Sequence, residues 1–280
     1  MKLKEKIAIK YIRTKFKVLS AVSKKKAAKE ALKLFTTPQK RSIKKLPRIF
    51  LEAEPLHFLL NKSKLVGYRW NKGGTKRILI LHGYESTVLN FDAYIKPIID
   101  KGYEVLAFDA PAHGYSGGET ITVIIYKNMI KAINELYGEV KGYIAHSFGG
   151  LAVSLAMEEL KHDESFKLVL IAPAAETQTA LDNYSSLLKL TEEVKMELKL
   201  AIGRIATNPI EWYSISRVAE NIKAQMRFYQ DEEDIQTPMK DILKIKKKML
   251  FNTEFFFSKG LGHNKIYRDA GVRKSIIDFL

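Results

Sequence analysis

Hydrophobic positions change their period along this chain, and the change divides it. Over residues 1–36 they recur at helical spacing. Ala8, Tyr11, Ile12, Phe16 and Leu19 make one stripe, and Ala28, Ala31, Leu32 and Phe35 a second, with lysines between them. Steps of three and four residues bring such positions onto one helix face, so two amphipathic helices are expected, the second stopped by Pro38. From residue 65 onward, short apolar runs alternate with longer amphipathic ones. Residues 65–70, 77–81, 104–108, 142–145, 167–172, 226–229 and 254–257 read as strands, and 91–101, 122–136, 149–160 and 272–280 as helices. Ile78-Leu79-Ile80-Leu81 is apolar without alternation, which suits a strand covered on both faces. Strand and helix alternating at these lengths build βαβ units and a mostly parallel sheet.

The rhythm breaks between about residues 175 and 223. Leu187, Leu188, Leu190, Val194, Met196, Leu198, Leu200 and Ile202 stand there among charged residues. That pattern predicts several helices without a strand, an inserted helical lid. The expected organisation is a basic helical extension over residues 1–50 and an α/β body over 51–280, with the lid at about 175–223.

Charge sharpens the division. The chain of 280 residues carries a net +16, yet residues 1–50 hold 17 Lys and Arg against only Glu5 and Glu30, so +15 of that excess lies in the extension. The body is close to neutral, without the basic, aromatic-interleaved surface of a dedicated nucleic-acid binder. Three roles remain for the extension. Its stripes could pack on the body with the lysines solvated, residues 1–36 could lie on an anionic membrane, or the segment could serve as a nucleic-acid arm, the least favoured of the three. The chain has no cysteine, which removes disulfides and cysteine metal sites. No apolar run approaches the ~20 residues needed to span a bilayer, and the N-terminus lacks the continuous apolar segment of a secretory signal. A cytoplasmic protein, with peripheral contact at the inner membrane face through residues 1–36, is the expectation.

Candidate chemistry centres on Tyr143-Ile144-Ala145-His146-Ser147-Phe148-Gly149-Gly150. A serine on a sharp strand-to-helix turn has its hydroxyl pushed out above the sheet, and the turn admits only small residues two before and two after it, as Ala145 and Gly149 are. A serine hydroxyl needs a base. His263 lies in Lys259-Gly260-Leu261-Gly262-His263-Asn264, after the last strand and before the last helix, where two glycines let the loop bring an imidazole back over the sheet. The base needs a carboxylate to hold its tautomer. The strand at 226–229 runs into Gln230-Asp231-Glu232-Glu233-Asp234-Ile235-Gln236-Thr237-Pro238. Asp234, deepest in that loop, is favoured, with Asp231 the alternative. An oxyanion needs backbone donors, expected from the amides of Phe148 and Tyr84. His82 is expected to hold the Tyr84 loop and not to act in chemistry.

These pieces resemble the α/β-hydrolase superfamily over roughly residues 60–280. Leu79-Ile80-Leu81-His82-Gly83-Tyr84 matches its oxyanion strand, and Asp109-Ala110-Pro111-Ala112-His113-Gly114-Tyr115-Ser116 its D-x-P-G-H-G-x-S loop. The turn at Ser147, the acid loop at 234–238 and Gly262-His263 follow in the family's order. Ala145 replaces the usual first glycine of the serine turn and Ala112 the glycine before His113. The resemblance implies the α/β-hydrolase fold, a mostly parallel sheet flanked by helices with a small helical lid insertion. It implies loop-forming roles for His113 and Ser116, and acyl transfer to water through an acyl-enzyme on Ser147, with no cofactor or metal. The serine separates the chain from dehalogenases and epoxide hydrolases of this fold, which use aspartate. A hydrolase of a small-molecule carboxylic ester or thioester is therefore the expected function. The alternative is an inactive hydrolase-fold binding protein tethered to a membrane by its basic helices. Its mark would be a damaged triad, and all three positions hold competent residues.

Overall fold

A computed structural model describes residues 3–280. It opens with α1 (Leu3–Val22) and α2 (Lys24–Thr36). Ser23 separates them, its hydroxyl accepting from the Lys26 amide as an N-cap. Residues 37–47 then run as an irregular strap to α3 (Arg48–Leu51). A hairpin of β1 (Glu54–Leu60) and β2 (Ser63–Trp70) follows, turned by Asn61 and Lys62 at φ 46° and 68°. Positive φ at both central residues is the type I′ geometry that matches strand twist. The sequence pattern does not announce β1. It begins with Glu54-Pro55 and keeps only Leu56 buried, because it is an edge strand, where proline is tolerated.

The body continues as β3 (Arg77–Leu81), α4 (Asp92–Asp100), β4 (Glu104–Phe108), α5 (Val123–Tyr137), β5 (Gly142–His146), α6 (Phe148–Met157) and β6 (Lys167–Ile171). Next come α7 (Thr177–Leu188), α8 (Glu192–Ile205) and α9 (Ile215–Val218), all before β7 (Gln225–Asp231). The chain closes with α10 (Met239–Lys246), β8 (Thr253–Ser258), α11 (Gly262–Lys265) and α12 (Ala270–Phe279).

The eight strands form one sheet in the order β1-β2-β4-β3-β5-β6-β7-β8. β2 runs antiparallel to both neighbours, and every pairing from β4 to β8 is parallel. Both faces are covered. Leu79, Leu81, Tyr143, Ala145, Leu168 and Leu170 pack with Ile130 and Ile133 of α5 and Leu151 and Leu155 of α6. The residues between them, Ile78, Ile80, Ile144, Val169 and Ile171, pack with Ile95 and Ile98 of α4 and Ile276 of α12. Double coverage explains why the strands read as unbroken apolar runs. β3, β5, β6 and β7 end at one edge of the sheet, the edge where open α/β sheets hold their ligands.

The extension packs on the helices between β6 and β7. Ala27, Ala28 and Ala31 of α2 are buried, and the Tyr184 hydroxyl of α7 donates to the Ala31 carbonyl at 2.8 Å. Arg13 of α1 donates through Nε to the Leu187 carbonyl at 2.8 Å. The first stripe is not a single buried face. Phe16 is buried and Ile12 and Leu19 are half-buried, but Ala8 and Tyr11 are exposed, because α1 meets its neighbours only along the Phe16–Ser20 side. The strap is pinned to the body. The Gln39 and Lys40 amides donate to Glu85 Oε1, Arg41 Nε donates to the Gly114 carbonyl, and the Tyr115 hydroxyl donates to the Lys44 carbonyl.

Candidate active site

Ser147 sits between the end of β5 and the start of α6 with φ 53° and ψ −117°. A non-glycine residue rarely adopts such a backbone, and here the surroundings hold it. Its amide donates to the Ile171 carbonyl at 3.0 Å, tying the turn to the end of β6, and its carbonyl accepts from Ala174 and Gly150. Close approach to the β3 end fixes two glycines. A Cβ on Gly149 would lie 2.7 Å from the His82 carbonyl oxygen, and one on Gly83 would lie 3.0 Å from Ser147 Cβ.

His263 reaches the serine from the first turn of α11, after Gly262 at φ 57°. Its Nε2 lies 3.0 Å from Ser147 Oγ, and its Nδ1 lies 2.7 Å from Asp234 Oδ2. With the proton on Nδ1, as the carboxylate requires, Nδ1–H donates to Asp234 and Nε2 accepts from the serine hydroxyl. Asp234 is buried in the β7–α10 loop. Burial pushes its carboxyl pKa up, but hydrogen bonds from His263 and from the Thr237 hydroxyl and amide outweigh that and leave it below its ordinary value. Asp231 plays another part. Its carboxylate accepts from Ser258 Oγ and from the Leu261 and Glu233 amides, so it braces the loop that carries His263 and does not touch the imidazole.

The Tyr84 and Phe148 amides flank the serine, the first beside Gly83 and the second at the start of α6. Neither donates to a protein acceptor among the described residues. The loops behind them rest on two buried histidines. His82 Nδ1–H donates to the Gly83 carbonyl at 2.7 Å while Nε2 accepts from the Ala110 amide. His113 Nδ1–H donates to the Pro111 carbonyl while Nε2 accepts from the Glu85 amide. Burial pushes both pKa values down to about 4, so both rings are neutral and structural. Ser116 bridges the Asp109 carbonyl and the Val66 amide.

Two contributors lie outside the residues that the sequence singled out. Thr237 donates to Asp234 Oδ2 at 2.7 Å, with its oxygen 3.2 Å from His263 Nδ1. The spacing Asp234-x-x-Thr237, with Asp234 Oδ1 accepting from the Gln236 and Thr237 amides, is a local turn whose residues are visible in the sequence. His146 is buried beneath His263, their ring centroids 4.7 Å apart, and its Nε2–H donates to the His263 carbonyl at 3.0 Å. Burial first, and the neighbouring His263 second, lower its pKa to about 3. Among the described residues, no group of three His, Cys, Asp or Glu could hold a metal ion.

Comparison with known proteins agrees with this architecture. Residues 74–241 match the family described as serine aminopeptidase, S33. Among solved structures, the Pyrococcus furiosus esterase PF2001 superposes with a TM-score of 0.65 at 20% identity, covering 88% of this chain and 97% of its own. Est1E from Butyrivibrio proteoclasticus, solved with ferulic acid bound, gives 0.60 at 17% identity over 80% of this chain and 97% of its own. The thioesterase domain from the curacin biosynthetic pathway gives 0.58 at 15% identity over 81% and 98%. At these identities the structural likeness carries the α/β-hydrolase fold alone. No curated protein matches the sequence significantly.

Proposed function

Because the chain belongs to the serine aminopeptidase, S33, family of α/β hydrolases, we propose that it is a serine hydrolase cleaving a carboxylic ester or thioester through an acyl-enzyme on Ser147. One observation carries the reading: a single imidazole joins Ser147 Oγ at 3.0 Å to the buried Asp234 carboxylate at 2.7 Å. In the proposed reaction Ser147 Oγ attacks the acyl carbon while His263 Nε2 takes its proton. Asp234 stabilises the imidazolium that forms. In this reading the Tyr84 and Phe148 amides donate to the tetrahedral oxyanion, and the N-terminus of α6 adds its positive end. His263 then gives its proton to the departing alkoxide or thiolate. A water, deprotonated by the same nitrogen, releases the acid and restores the serine.

The esterase and thioesterase named among the structural neighbours support an ester or thioester as the substrate class.

The test is labelling of the folded protein with a fluorophosphonate, followed by turnover of p-nitrophenyl esters, acyl thioesters and an aminoacyl anilide. Wild type is expected to label at Ser147 and to hydrolyse the first two. Ser147→Ala should lose the label, and Asp234→Asn should cut kcat by a factor on the order of 10⁴, as expected for a histidine held in the wrong tautomer. Asp231→Asn should retain far more activity than Asp234→Asn. Turnover of the anilide alone would overturn the substrate class, and absence of labelling would overturn the mechanism in favour of a non-catalytic binding protein.

A further inference from the structure

α1 has two apolar faces, and the fold uses only one. Phe16 and Ser20 are buried and Ile12 and Leu19 half-buried, which fixes the side turned to the protein. Ile7, Tyr11, Val18 and Val22 are 61%, 71%, 62% and 74% exposed. Steps of four, seven and four residues align these side chains within roughly 60° around the helix, on the side opposite Phe16. Four large apolar groups in one solvent-facing row are unusual for a helix already docked by its other face, since a surface helix keeps that side polar.

The charge beside the row is one-sided. α1 holds six Lys and Arg against Glu5 alone. Lys10 and Lys17 flank one edge of the row. With Arg13 and Lys189 they line a groove of about 340 Å³ between α1 and the start of α8. Lys15 flanks the other edge, paired with Glu30. No helix among the described residues is long and apolar enough to cross a membrane, so the row can lie on a lipid surface but not span it.

We propose that the outer face of α1 docks the protein on an anionic lipid bilayer. Ile7, Val18 and Val22 would enter the boundary of the acyl region and Tyr11 the headgroup level. Lys10 and Lys17 would reach lipid phosphates on their flexible stems. Charge complementarity selects this occupant. A nucleic acid would use the lysines and leave four apolar side chains in water, whereas an anionic bilayer satisfies both features of the same face. α7 lies directly behind α1, joined through Arg13 and the Leu187 carbonyl. The same α7 reaches the acid loop, where Asn183 donates to the Gln236 carbonyl. Docking would therefore set α7, and the acid loop it touches, near the lipid.

The full chain should be tested by sedimentation with vesicles of phosphatidylcholine alone and with phosphatidylglycerol added, at low and high salt. Binding is expected only to the anionic vesicles, weakening as salt rises. Lys10→Gln with Lys17→Gln should weaken it roughly 25-fold, about fivefold for each charge removed near the surface. Val18→Ser with Val22→Ser should also weaken it, without altering fluorophosphonate labelling or the thermal midpoint, because these side chains are mostly exposed and belong to neither core cluster. Three results would each overturn the proposal: no sedimentation with anionic vesicles at low salt, equal binding by the serine variant, or tight duplex DNA binding in a gel shift with no vesicle binding.

Discussion

Asp234 and Asp231 are three residues apart, both buried and both carboxylates held by several hydrogen bonds, yet only one meets His263. What separates them is the turn that follows. Asp234 accepts from the Gln236 and Thr237 amides through Oδ1, which leaves Oδ2 to the imidazole and to Thr237 Oγ1. Thr237 is thus a positioning residue. It fixes which carboxylate oxygen faces His263, and it helps keep that carboxyl ionised. Thr237→Val should lower kcat about tenfold, the worth of one hydrogen bond to a charged group, with little change in KM. Thr237→Ser should restore it. A Val variant as active as wild type, or a Ser variant no better than Val, would reduce Thr237 to packing. At this scale Ser147, His263 and Asp234 were legible because each sits where a strand ends, and strand ends can be read from apolar runs. The Asp234-x-x-Thr237 spacing was visible as a turn, but the parts of Thr237 and His146 were not, since a hydroxyl and a buried ring gain them only from the folded structure around them.

The serine turn shows how elements constrain one another. Of the small positions flanking Ser147, Gly149 is fixed by the end of β3, because a Cβ there would sit 2.7 Å from the His82 carbonyl. Backbone cannot yield as a flexible side chain can. Gly149→Ala should therefore cost roughly 1–3 kcal/mol in denaturant unfolding and lower turnover, since it pushes on the strand end that leads into Tyr84. Gly203 in α8 is the control: an added Cβ there meets nothing, and Gly203→Ala should leave stability unchanged or raise it. A Gly149 variant as stable as wild type would mean that β3 and α6 can separate. The apolar runs that predicted β3 to β7 follow from burial on both faces. β1 and β8 are the two edge strands, and β8 was legible through Phe255-Phe256-Phe257, whereas β1 opens with Glu54-Pro55 and buries only Leu56. α10 escaped because Met239–Lys246 is only eight residues long and Lys-rich, and of its four apolar residues only Ile242 and Ile245 are buried. In α1 the stripe was legible but its division was not. Helical spacing reports which residues share a side, and only the packed neighbours decide which side is covered.

Across the whole molecule, the extension and body meet through the loops that frame the serine. The strap's Gln39 and Lys40 amides hold Glu85, whose own amide donates to His113, and the Tyr84 hydroxyl donates to the Phe35 carbonyl. Charge counting separated these segments along the sequence, but it could not reveal that residues 35–41 fasten the loop beside Ser147. This arrangement depends on histidines staying neutral. His82 and His113 each spend one ring nitrogen as an acceptor from a backbone amide, and protonation would turn that acceptor into a donor. Burial lowers both to about 4 and, with His263 nearby, His146 to about 3, against about 6.5 in an unfolded chain. Between those values the unfolded chain binds protons that the folded chain refuses. Their contribution is complete above pH 6.5 and is lost as the pH falls toward 4, at about 1.4 kcal/mol per pH unit for each histidine. Asp109, whose carboxyl burial raises, works in the opposite sense and softens the slope. Denaturant unfolding between pH 7 and pH 4.5 should show stability falling steadily. His113→Asn, which keeps an acceptor without a titrating ring, should flatten the slope by up to one histidine's share. Stability independent of pH in that range would mean that these rings take up protons without loss of the loop, and that the strap does not depend on their neutrality.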